Sequence, residues 1–314
     1  MTILIFVQAD FESGLGHLTR CLSLAQAFER VAGVTSKFVG VSDSFAGWLS
    51  QFGFQVCKEP LTRLNPELVI IDRGLSSGLD SIELASMYPR ARLIVIHDNQ
   101  PLAGQYDYVL NGSIYAHEIR YKTNPGCGFI LGAKFQPMRD QFWNVKPRKP
   151  VKQLKKILIM LGGGHAGLGS VQGLLEFVPQ LPDDLEFHLV VASTVGLMKV
   201  PSRVIVHESP ISILPIMCGC DLAISGGGQV LYELAVTGTP AIAMPVATNQ
   251  VPNIRHFEKS GFLESVEYGD LKNLQTSILK LAQDIKLLNE MSESGQAIID
   301  GMGALRVANL MSEI

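Results

Sequence analysis

The sequence predicts an α/β protein made of two Rossmann-like domains, and three observations lead to this prediction. Short apolar runs, many of them β-branched, alternate with helical segments along the chain. A polar segment with two prolines, 145–151, interrupts the alternation, which then restarts as strand, glycine loop and helix. Because near-continuous apolar strands separated by helices are typical of parallel sheets covered on both faces, each half is expected to be a doubly wound sheet.

The elements of each half follow from these patterns. In the first half, strands are predicted at 3–7, 36–41, 68–71, 93–96 and 108–110, with helices at 18–31 and near 79–87. In the second half, strands are predicted at 156–161, 186–191, 204–207, 221–225 and 241–245. Its helices are predicted after residue 168 and at 229–236, 249–259, 271–283 and 285–299. The predicted domains are therefore 1–147 and 148–314, and a ligand is expected at the carboxyl ends of the strands, between the domains.

Composition excludes several classes of protein. The 314 residues are 47% apolar and 18% charged, which is incompatible with a disordered chain. The formal net charge of −3 lacks the basic excess of nucleic-acid-binding proteins, so no nucleic-acid partner is expected. Six lysines and arginines do cluster within 146–156, where we expect them to face solvent. The low charged fraction permits a homodimer.

The chain is expected to be cytoplasmic. No apolar run approaches the roughly 20 residues that span a bilayer, so no stable membrane insertion is expected. The apolar segment 2–7 has no basic segment before it, which argues against a signal peptide. The five cysteines are scattered and odd in number, as expected of reduced thiols.

The first motif, in 10–20, contains Gly14, Gly16 and His17 and follows the first strand. Glycines let the backbone turn tightly and approach a ligand closely. His17 falls at the start of the next helix, where the helix dipole disfavours imidazolium, so a neutral ring that acts as a base or a hydrogen-bond donor is expected. The spacing is not that of a dinucleotide fingerprint, and no cofactor is expected.

Two further glycine loops lie between a strand and a helix. Gly162, Gly163 and Gly164 form one, and their backbone N–H groups suit a phosphate without a Walker A lysine. The other comprises Ser225, Gly226, Gly227, Gly228 and Gln229, followed in the helix by Glu233, whose carboxylate could hold the hydroxyls of a ribose. Asn249 and Gln250 begin a later helix and suit phosphate or sugar oxygens. An ordinary turn, a carboxylate that complements the helix dipole and a helix cap remain the alternatives.

Together, these residues carry a family resemblance. The pairing of Gly14-Leu-Gly16-His17-Leu-Thr-Arg20 with Gly226-Gly227-Gly228, Tyr232-Glu233-Leu-Ala, Gly238-Thr-Pro240 and Asn249-Gln250 resembles the UDP-sugar hydrolases of pseudaminic acid biosynthesis. It is equally similar to their spore-coat polysaccharide relatives, and 131–142 resembles a further segment of that family. Both belong to the GT-B glycosyltransferase superfamily, in which the MurG-type enzymes are more distant cousins.

The resemblance implies a GT-B fold with a UDP-sugar in the cleft. No Asp-x-Asp motif is placed to bind a diphosphate, so no obligatory metal is expected. It implies that His17 orients and activates the attacking water and that Glu233 binds the ribose. It assigns the diphosphate to the loops 162–164 and 225–229, and places Asn249 and Gln250 near the phosphates and the sugar. It also suggests that the helical segment 301–314 packs back on the first domain.

Three segments depart from the family pattern, all in the first half: Gln8-Ala9-Asp10, Asp72-Arg73-Gly74 and His97-Asp98. These departures lie in the half that selects the sugar and the acceptor, so the nucleotide assignment is better supported than hydrolysis. The function that the resemblance implies is an inverting hydrolase that releases UDP and a free deoxy or acetamido sugar for surface polysaccharide or nonulosonic acid biosynthesis. The alternatives are an inverting GT-B glycosyltransferase with a UDP-sugar donor and a non-catalytic nucleotide-sugar-binding subunit.

Overall fold

The computed structural model describes residues 2–9, 15–57, 61–72, 81–98, 102–162, 166–197 and 199–313. The chain forms two compact units, the first of Met1–Trp143 with Gly301–Ile314 and the second of Asn144–Asp300. Each unit contains one large parallel sheet with helices, so the prediction of two α/β domains is confirmed. The division falls shortly before the predicted boundary at 147. The C-terminal segment, which the family resemblance suggested would pack back on the first domain, belongs to the first unit.

The first unit is built on a seven-stranded sheet of order β3-β2-β1-β4-β5-β7-β9. Its strands are β1 (Ile3–Ala9), β2 (Ser36–Val41), β3 (Gln55–Val56), β4 (Leu68–Asp72), β5 (Arg92–Ile96), β7 (Tyr108–Asn111) and β9 (Gly128–Leu131), and β6 (Leu102–Gly104) pairs separately with β8 (Tyr121–Thr123). The helices that precede residue 143 in the described part of this unit are α1 (Leu15–Ala32), α2 (Asp43–Ser50) and α3 (Ser81–Met87). Every strand pair of the large sheet is parallel.

Strand β1 explains why this sheet must be covered on both faces. Ile3, Ile5 and Val7 belong to the apolar core on one face, whereas Leu4 and Phe6 belong to the core on the other. Successive side chains of a strand point to opposite faces, so an uninterrupted apolar run places apolar groups on both sides.

The second unit is built on a six-stranded parallel sheet of order β12-β11-β10-β13-β14-β15. The strands are β10 (Lys156–Met160), β11 (Glu186–Val191), β12 (Val204–Glu208), β13 (Leu222–Ser225), β14 (Ala241–Ala243) and β15 (Leu263–Ser265). The helices are α4 (Ala166–Phe177), α5 (Leu214–Gly219), α6 (Val230–Thr237), α7 (Val251–Lys259), α8 (Leu271–Gln283) and α9 (Ile285–Ile298). Sequence patterns missed the shortest elements, and a 3₁₀ turn, Thr248–Gln250, takes up the start of the helix predicted at 249–259.

The C-terminal helix α10 (Gly303–Ser312) packs on the first unit. Ala304, Val307 and Ala308 are fully buried in the same core as helix α1. Gly303 lies so close to Gln136 that a Cβ atom at this position would come within 2.2 Å of its carbonyl oxygen. The guanidinium of Arg306 donates to the carbonyl of Lys134 at 3.0 Å. In the described part of the chain, no helix has the length and apolar character needed to cross a membrane.

Candidate active site

Three side chains of helix α1 contact the last residue of strand β4. His17, Arg20 and Cys21 stand at positions i, i+3 and i+4 and therefore share one face of the helix. All three contact Asp72, the last residue of β4. Because β4 is the parallel neighbour of β1, its carboxyl end lies at the sheet edge from which the chain leaves β1 for α1. The parallel topology thus brings Asp72 to the start of α1.

Asp72 is a fully buried carboxylate that accepts hydrogen bonds from several donors. Its Oδ1 lies 2.9 Å from His17 Nδ1, and its Oδ2 accepts from Arg20 Nε at 2.5 Å. The Cys21 thiol donates to Oδ2 at 3.5 Å. Burial raises the pKa of Asp72, but the charge and hydrogen bonds of Arg20, together with His17, outweigh it and hold this pKa well below its usual range. Asp72 is therefore ionised whenever the protein is folded near neutral pH.

Arg20 is held between two carboxylates. Its guanidinium bridges Asp72 and Asp98, and Asp98 lies just beyond β5. Arg20 Nη2 lies 3.2 Å from Asp98 Oδ2, and Nη1 donates to Asp98 Oδ1. Burial lowers the pKa of Arg20, but the two carboxylates raise it well above its usual value. Burial alone would raise the pKa of Asp98, but the positive charge of Arg20 outweighs burial, so the pKa of Asp98 is lowered. Asp98 is the solvent-accessible carboxylate of the two, because 44% of its side chain is exposed, whereas the side chain of Asp72 is fully buried.

The hydrogen-bond pattern fixes the tautomer of His17. Its Nδ1 lies 2.9 Å from both Asp72 Oδ1 and Arg20 NH2, and these two contacts require opposite tautomers. The terminal NH2 group of Arg20 has only two hydrogens, and Asp72 Oδ1 and Asp98 Oδ2 accept both. Nδ1 of His17 must therefore carry a proton and donate it to Asp72. A neutral His17 ring then presents the lone pair of Nε2, as a base requires.

A third strand end supports this group. Asn111, the last residue of β7, donates from Nδ2 to the Asp98 carbonyl at 2.7 Å and to the Tyr121 hydroxyl at 3.0 Å. Tyr121 in turn donates to the Ala116 carbonyl at 2.8 Å. Burial, aided by the charge of Asp98, raises the pKa of Tyr115 to about 12. The ends of β4, β5 and β7 thus combine to form one polar site around Arg20.

In the second unit, the loop between β13 and α6 is tied to the loop that follows β14. The side-chain oxygen Oε1 of Gln250 accepts from the backbone N–H of Gly227 at 2.8 Å and of Val246 at 3.1 Å. Asn253 donates to the Gly227 carbonyl at 3.1 Å and accepts from the Tyr232 hydroxyl at 2.7 Å. The predicted ligand residue Gln250 therefore holds one of the predicted phosphate-binding N–H groups. Asn249 is exposed, and Gln229 and Gly228 are half-buried.

Two glycines of this loop are required by close packing. A Cβ on Gly226 would lie 2.5 Å from the carbonyl oxygen of Leu161, and one on Gly227 would lie 2.7 Å from Ile254. Gly228 has no such contact, since its nearest neighbour is 3.9 Å away. Gly162 has a φ of 111°, a value that favours glycine. Strand β10 pairs with β13, so Gly162 and the 226–228 loop share one sheet edge.

Glu233 lies on α6, and only 5% of this residue is exposed. Ser225 is fully buried and donates to the Gly226 carbonyl at 2.9 Å. The structure thus brings 225–229, Gln250 and Gly162 to one edge of the second sheet, while Gly163 and Gly164 lie outside the described residues.

In the first unit, Gly16 is exposed near the start of α1 and Gly14 lies outside the described residues. Sequence reasoning missed Arg20, Asp72 and Asp98 as site residues and treated 72–74 and 97–98 only as departures from a family pattern. One signal could have found them. Both aspartates follow apolar strands, and the carboxyl ends of adjacent parallel strands meet at one sheet edge. No group of three His, Cys, Asp or Glu side chains within the described ranges could hold a metal ion.

Two parallel sheets with this order of helices define the fold of the GT-B glycosyltransferases. The crystal structure of MurG from Acinetobacter baumannii superposes with a TM-score of 0.67 at 14% identity, and the match covers 100% of this chain and 99% of that one. No family model matches the chain.

The curated proteins that are similar in sequence include the following two. A pseudaminic acid cytidylyltransferase and UDP-2,4-diacetamido-2,4,6-trideoxy-beta-L-altropyranose hydrolase from Helicobacter pylori is 26% identical over 294 residues, or 92% of this chain. The chain spans about half (51%) of the length of that relative. The spore coat polysaccharide biosynthesis protein SpsG from Bacillus subtilis is 22% identical over 346 residues, which cover 100% of this chain and 98% of SpsG.

Proposed function

We propose that this protein hydrolyses a UDP-sugar by direct attack of water and releases UDP and a free deoxy or acetamido sugar. The observation that carries the proposal is the Nδ1–H of His17 directed at the buried Asp72 carboxylate, 2.9 Å away. A histidine whose tautomer is fixed by a carboxylate is the usual arrangement for a general base. The Helicobacter pylori relative supports the choice of substrate, because its name includes the hydrolysis of a diacetamido UDP-sugar.

In the proposed reaction, Nε2 of His17 accepts a proton from water while the water oxygen bonds to the anomeric carbon. The bond from that carbon to the diphosphate oxygen breaks, and UDP leaves with the bonding electrons. A single displacement inverts the anomeric centre. Asp72 stabilises the imidazolium that forms, and Arg20 keeps Asp72 ionised and in place.

We propose that the second unit binds the nucleotide. The loop after β13 would contact the diphosphate, as glycine loops at strand ends do. Because the Gly227 N–H already donates to Gln250 Oε1, the contacts would come from other N–H groups of this loop and from the Gln250 side-chain N–H₂. Glu233 would accept hydrogen bonds from the ribose hydroxyls, through the small part of it that is exposed.

Two other functions use the same residues. In an inverting glycosyltransferase, Nε2 of His17 would take the proton from an acceptor hydroxyl instead of water; the GT-B fold favours this alternative. In a non-catalytic nucleotide-sugar-binding subunit, the glycine loops would suffice. The His17–Asp72–Arg20 arrangement argues against the binding subunit, because simple binding does not require a histidine with a fixed tautomer.

The test is UDP release from the purified protein with a panel of UDP-sugars, without acceptor and with EDTA. The panel includes 6-deoxy and diacetamido hexoses, and the free sugar is measured with UDP. His17→Ala is the test variant, and His207→Ala, which removes an imidazole from strand β12, is its control. Release that is lost in His17→Ala and kept in His207→Ala supports the hydrolase. Release that His17→Ala leaves unchanged contradicts the proposed mechanism.

The nucleotide assignment has its own test. Glu233→Ala is expected to weaken UDP binding, measured by calorimetry, about 10-fold or more, since a ligand hydroxyl bonded to a charged group contributes about 1.5–3 kcal/mol. Glu233→Gln keeps the shape of the side chain and removes its charge, so an intermediate affinity is expected. If UDP binds equally to all three proteins, the assignment is wrong. If UDP binds to the parent protein but no UDP-sugar is turned over without an acceptor, the transferase becomes the better proposal.

A further inference from the structure

A basic groove lies in the second unit, away from the glycine loops. It encloses about 680 Å³ and is lined by the segment 146–156 together with Cys218, Gly219, Asp221 and Thr237. Six of its side chains are cationic: Lys146, Arg148, Lys149, Lys152, Lys155 and Lys156. Its volume lies in the range of small-molecule sites, about 300–1,000 Å³.

The groove is at the opposite end of the sheet from the candidate nucleotide loops. Lys156 is the first residue of β10 and Asp221 directly precedes β13, whereas the glycine loops follow the last residues of those strands. The length of β10, five residues, separates the two ends by roughly 13 Å, at about 3.3 Å per residue. A ligand of the groove would therefore occupy a second site.

Most of the positive charge in the groove is not neutralised by the protein. Arg148 lies 3.7 Å from Asp221, and Lys156 pairs with Glu186 at 3.0 Å. Considering only residues that the structure describes, Lys146, Lys149, Lys152 and Lys155 form no ion pair with a carboxylate. Like charges held close together repel one another, and an anion with several negative charges would relieve that repulsion.

The backbone that carries these lysines is held in place. Helix α9 binds it through Asn289, which accepts from Val151 N–H at 2.8 Å and donates to the Val151 carbonyl at 3.0 Å. Gln296, also on α9, accepts from the backbone N–H of Arg148 at 2.9 Å. The Arg148 guanidinium is fixed by Thr239 at 3.1 Å and by the carbonyl of Cys220. A pre-organised site loses less entropy when it binds a ligand than a mobile one.

We propose that this groove binds a soluble compound that carries several phosphate groups. Lysine ammonium groups are side chains that proteins use for phosphate. Arg148 has a supporting role, because its guanidinium is bonded to the protein and only 10% of its side chain is exposed. Several phosphates match the charge better than one, because the unneutralised lysines are at separate positions along the segment. A membrane surface fits less well, since no exposed large apolar side chain among the described residues lines the groove.

The test uses the full chain and sodium tripolyphosphate as the probe, with calorimetry in the absence of nucleotide, because the diphosphate of UDP would compete for the groove. The test variant is Lys149→Ala/Lys152→Ala/Lys155→Ala. Its matched control is Lys199→Ala/Lys259→Ala/Lys272→Ala, which removes the same charge from exposed positions of the same unit outside the groove. We expect the groove variant to lose about 10-fold or more in affinity and the control to lose little, because charges beyond a Debye length of about 8 Å are screened.

Two outcomes would overturn the proposal. The first is no binding of tripolyphosphate by the parent protein, and the second is equal affinity in the two triple variants, which would indicate general surface charge or binding elsewhere. If tripolyphosphate does not bind, sedimentation with phosphatidylcholine vesicles that contain phosphatidylglycerol shows whether the groove binds a lipid headgroup instead. The result does not depend on UDP-sugar turnover, so it stays separate from the test of the proposed function.

Discussion

His17 Nδ1 and Asp72 Oδ1 are 2.9 Å apart, although 55 positions separate the two residues in the sequence. The contact exists because β1 and β4 are parallel neighbours, and the helix that follows β1 starts where β4 ends. Asp72 is fully buried, and Arg20 donates to both of its carboxylate oxygens. The position of the histidine ring is thus set by an ion pair of the first unit.

His17→Ala is expected to reduce kcat for UDP release about 10²- to 10⁴-fold, the range for loss of a general base. Only a minor effect on UDP affinity is expected, because the nucleotide is assigned to the second unit. Steady-state kinetics and UDP calorimetry on the same preparation separate the two effects. A variant that loses UDP affinity but keeps kcat would place His17 in binding rather than in proton transfer.

Asp72→Asn is expected to destabilise the protein by about 3 kcal/mol, the lower end of the range for removing one partner of a buried ion pair. Arg20 keeps Asp98, which limits the loss. The matched change, Asp98→Asn, is expected to cost about 1 kcal/mol or less, because 44% of that side chain is exposed. Urea unfolding of the two variants measures the difference, and equal losses would contradict the assigned burial.

The stability of the protein is expected to fall in acid through Asp72. In the unfolded chain an aspartate has a pKa of about 3.9, whereas the pKa of Asp72 in the folded protein is lowered by Arg20 and His17 despite burial. Protons therefore bind the unfolded state first. The contribution of Asp72 is fully present above about pH 4 and is lost as pH falls towards the folded pKa. Unfolding free energies between pH 6 and pH 3 should decline less steeply in Asp72→Asn; parallel curves would contradict the prediction.

Gly226→Ala is expected to cost about 1–3 kcal/mol, typical of overpacking, because its Cβ would lie 2.5 Å from the carbonyl oxygen of Leu161. UDP affinity is expected to fall with it, since the loop must shift. Gly228→Ala is the control, with no heavy atom nearer than 3.9 Å to its Cβ. Thermal unfolding and UDP calorimetry on both variants test the prediction, which fails if Gly228→Ala is the more damaging change.

Gly303→Ala is expected to weaken the docking of α10 on the first unit, because its Cβ would meet the carbonyl oxygen of Gln136 at 2.2 Å. The predicted cost is about 1–3 kcal/mol or more. Gly47→Ala, within α2 and with nothing within 4 Å of its Cβ, should instead stabilise the same unit by about 0.5–1 kcal/mol. Opposite shifts in the midpoint of urea unfolding are the expected result, and shifts of the same sign would contradict it.

The α/β class, the two-part organisation and most strands follow from the amino-acid sequence alone, because apolar periodicity reports burial locally. The sequence also placed His17 and the glycine loops at strand ends, because a glycine there lets the backbone turn tightly and approach a ligand closely. Short elements such as β3 and β15 escaped detection, because two or three residues carry too little periodicity to stand out.

The groups that surround His17 are set by the packing of the sheet, not by local sequence patterns. Asp72 and Asp98 come from separate strands, and their meeting with Arg20 depends on the order β1-β4-β5 in the sheet, which local patterns do not encode. The same holds for Gln250, whose side chain bonds Gly227 from a different loop. It also holds for α10, whose apolar pattern predicts a helix but does not encode that this helix packs on the first unit. Periodicity reveals which residues are buried. The partner of a buried charge depends instead on contacts between residues that are far apart in the sequence.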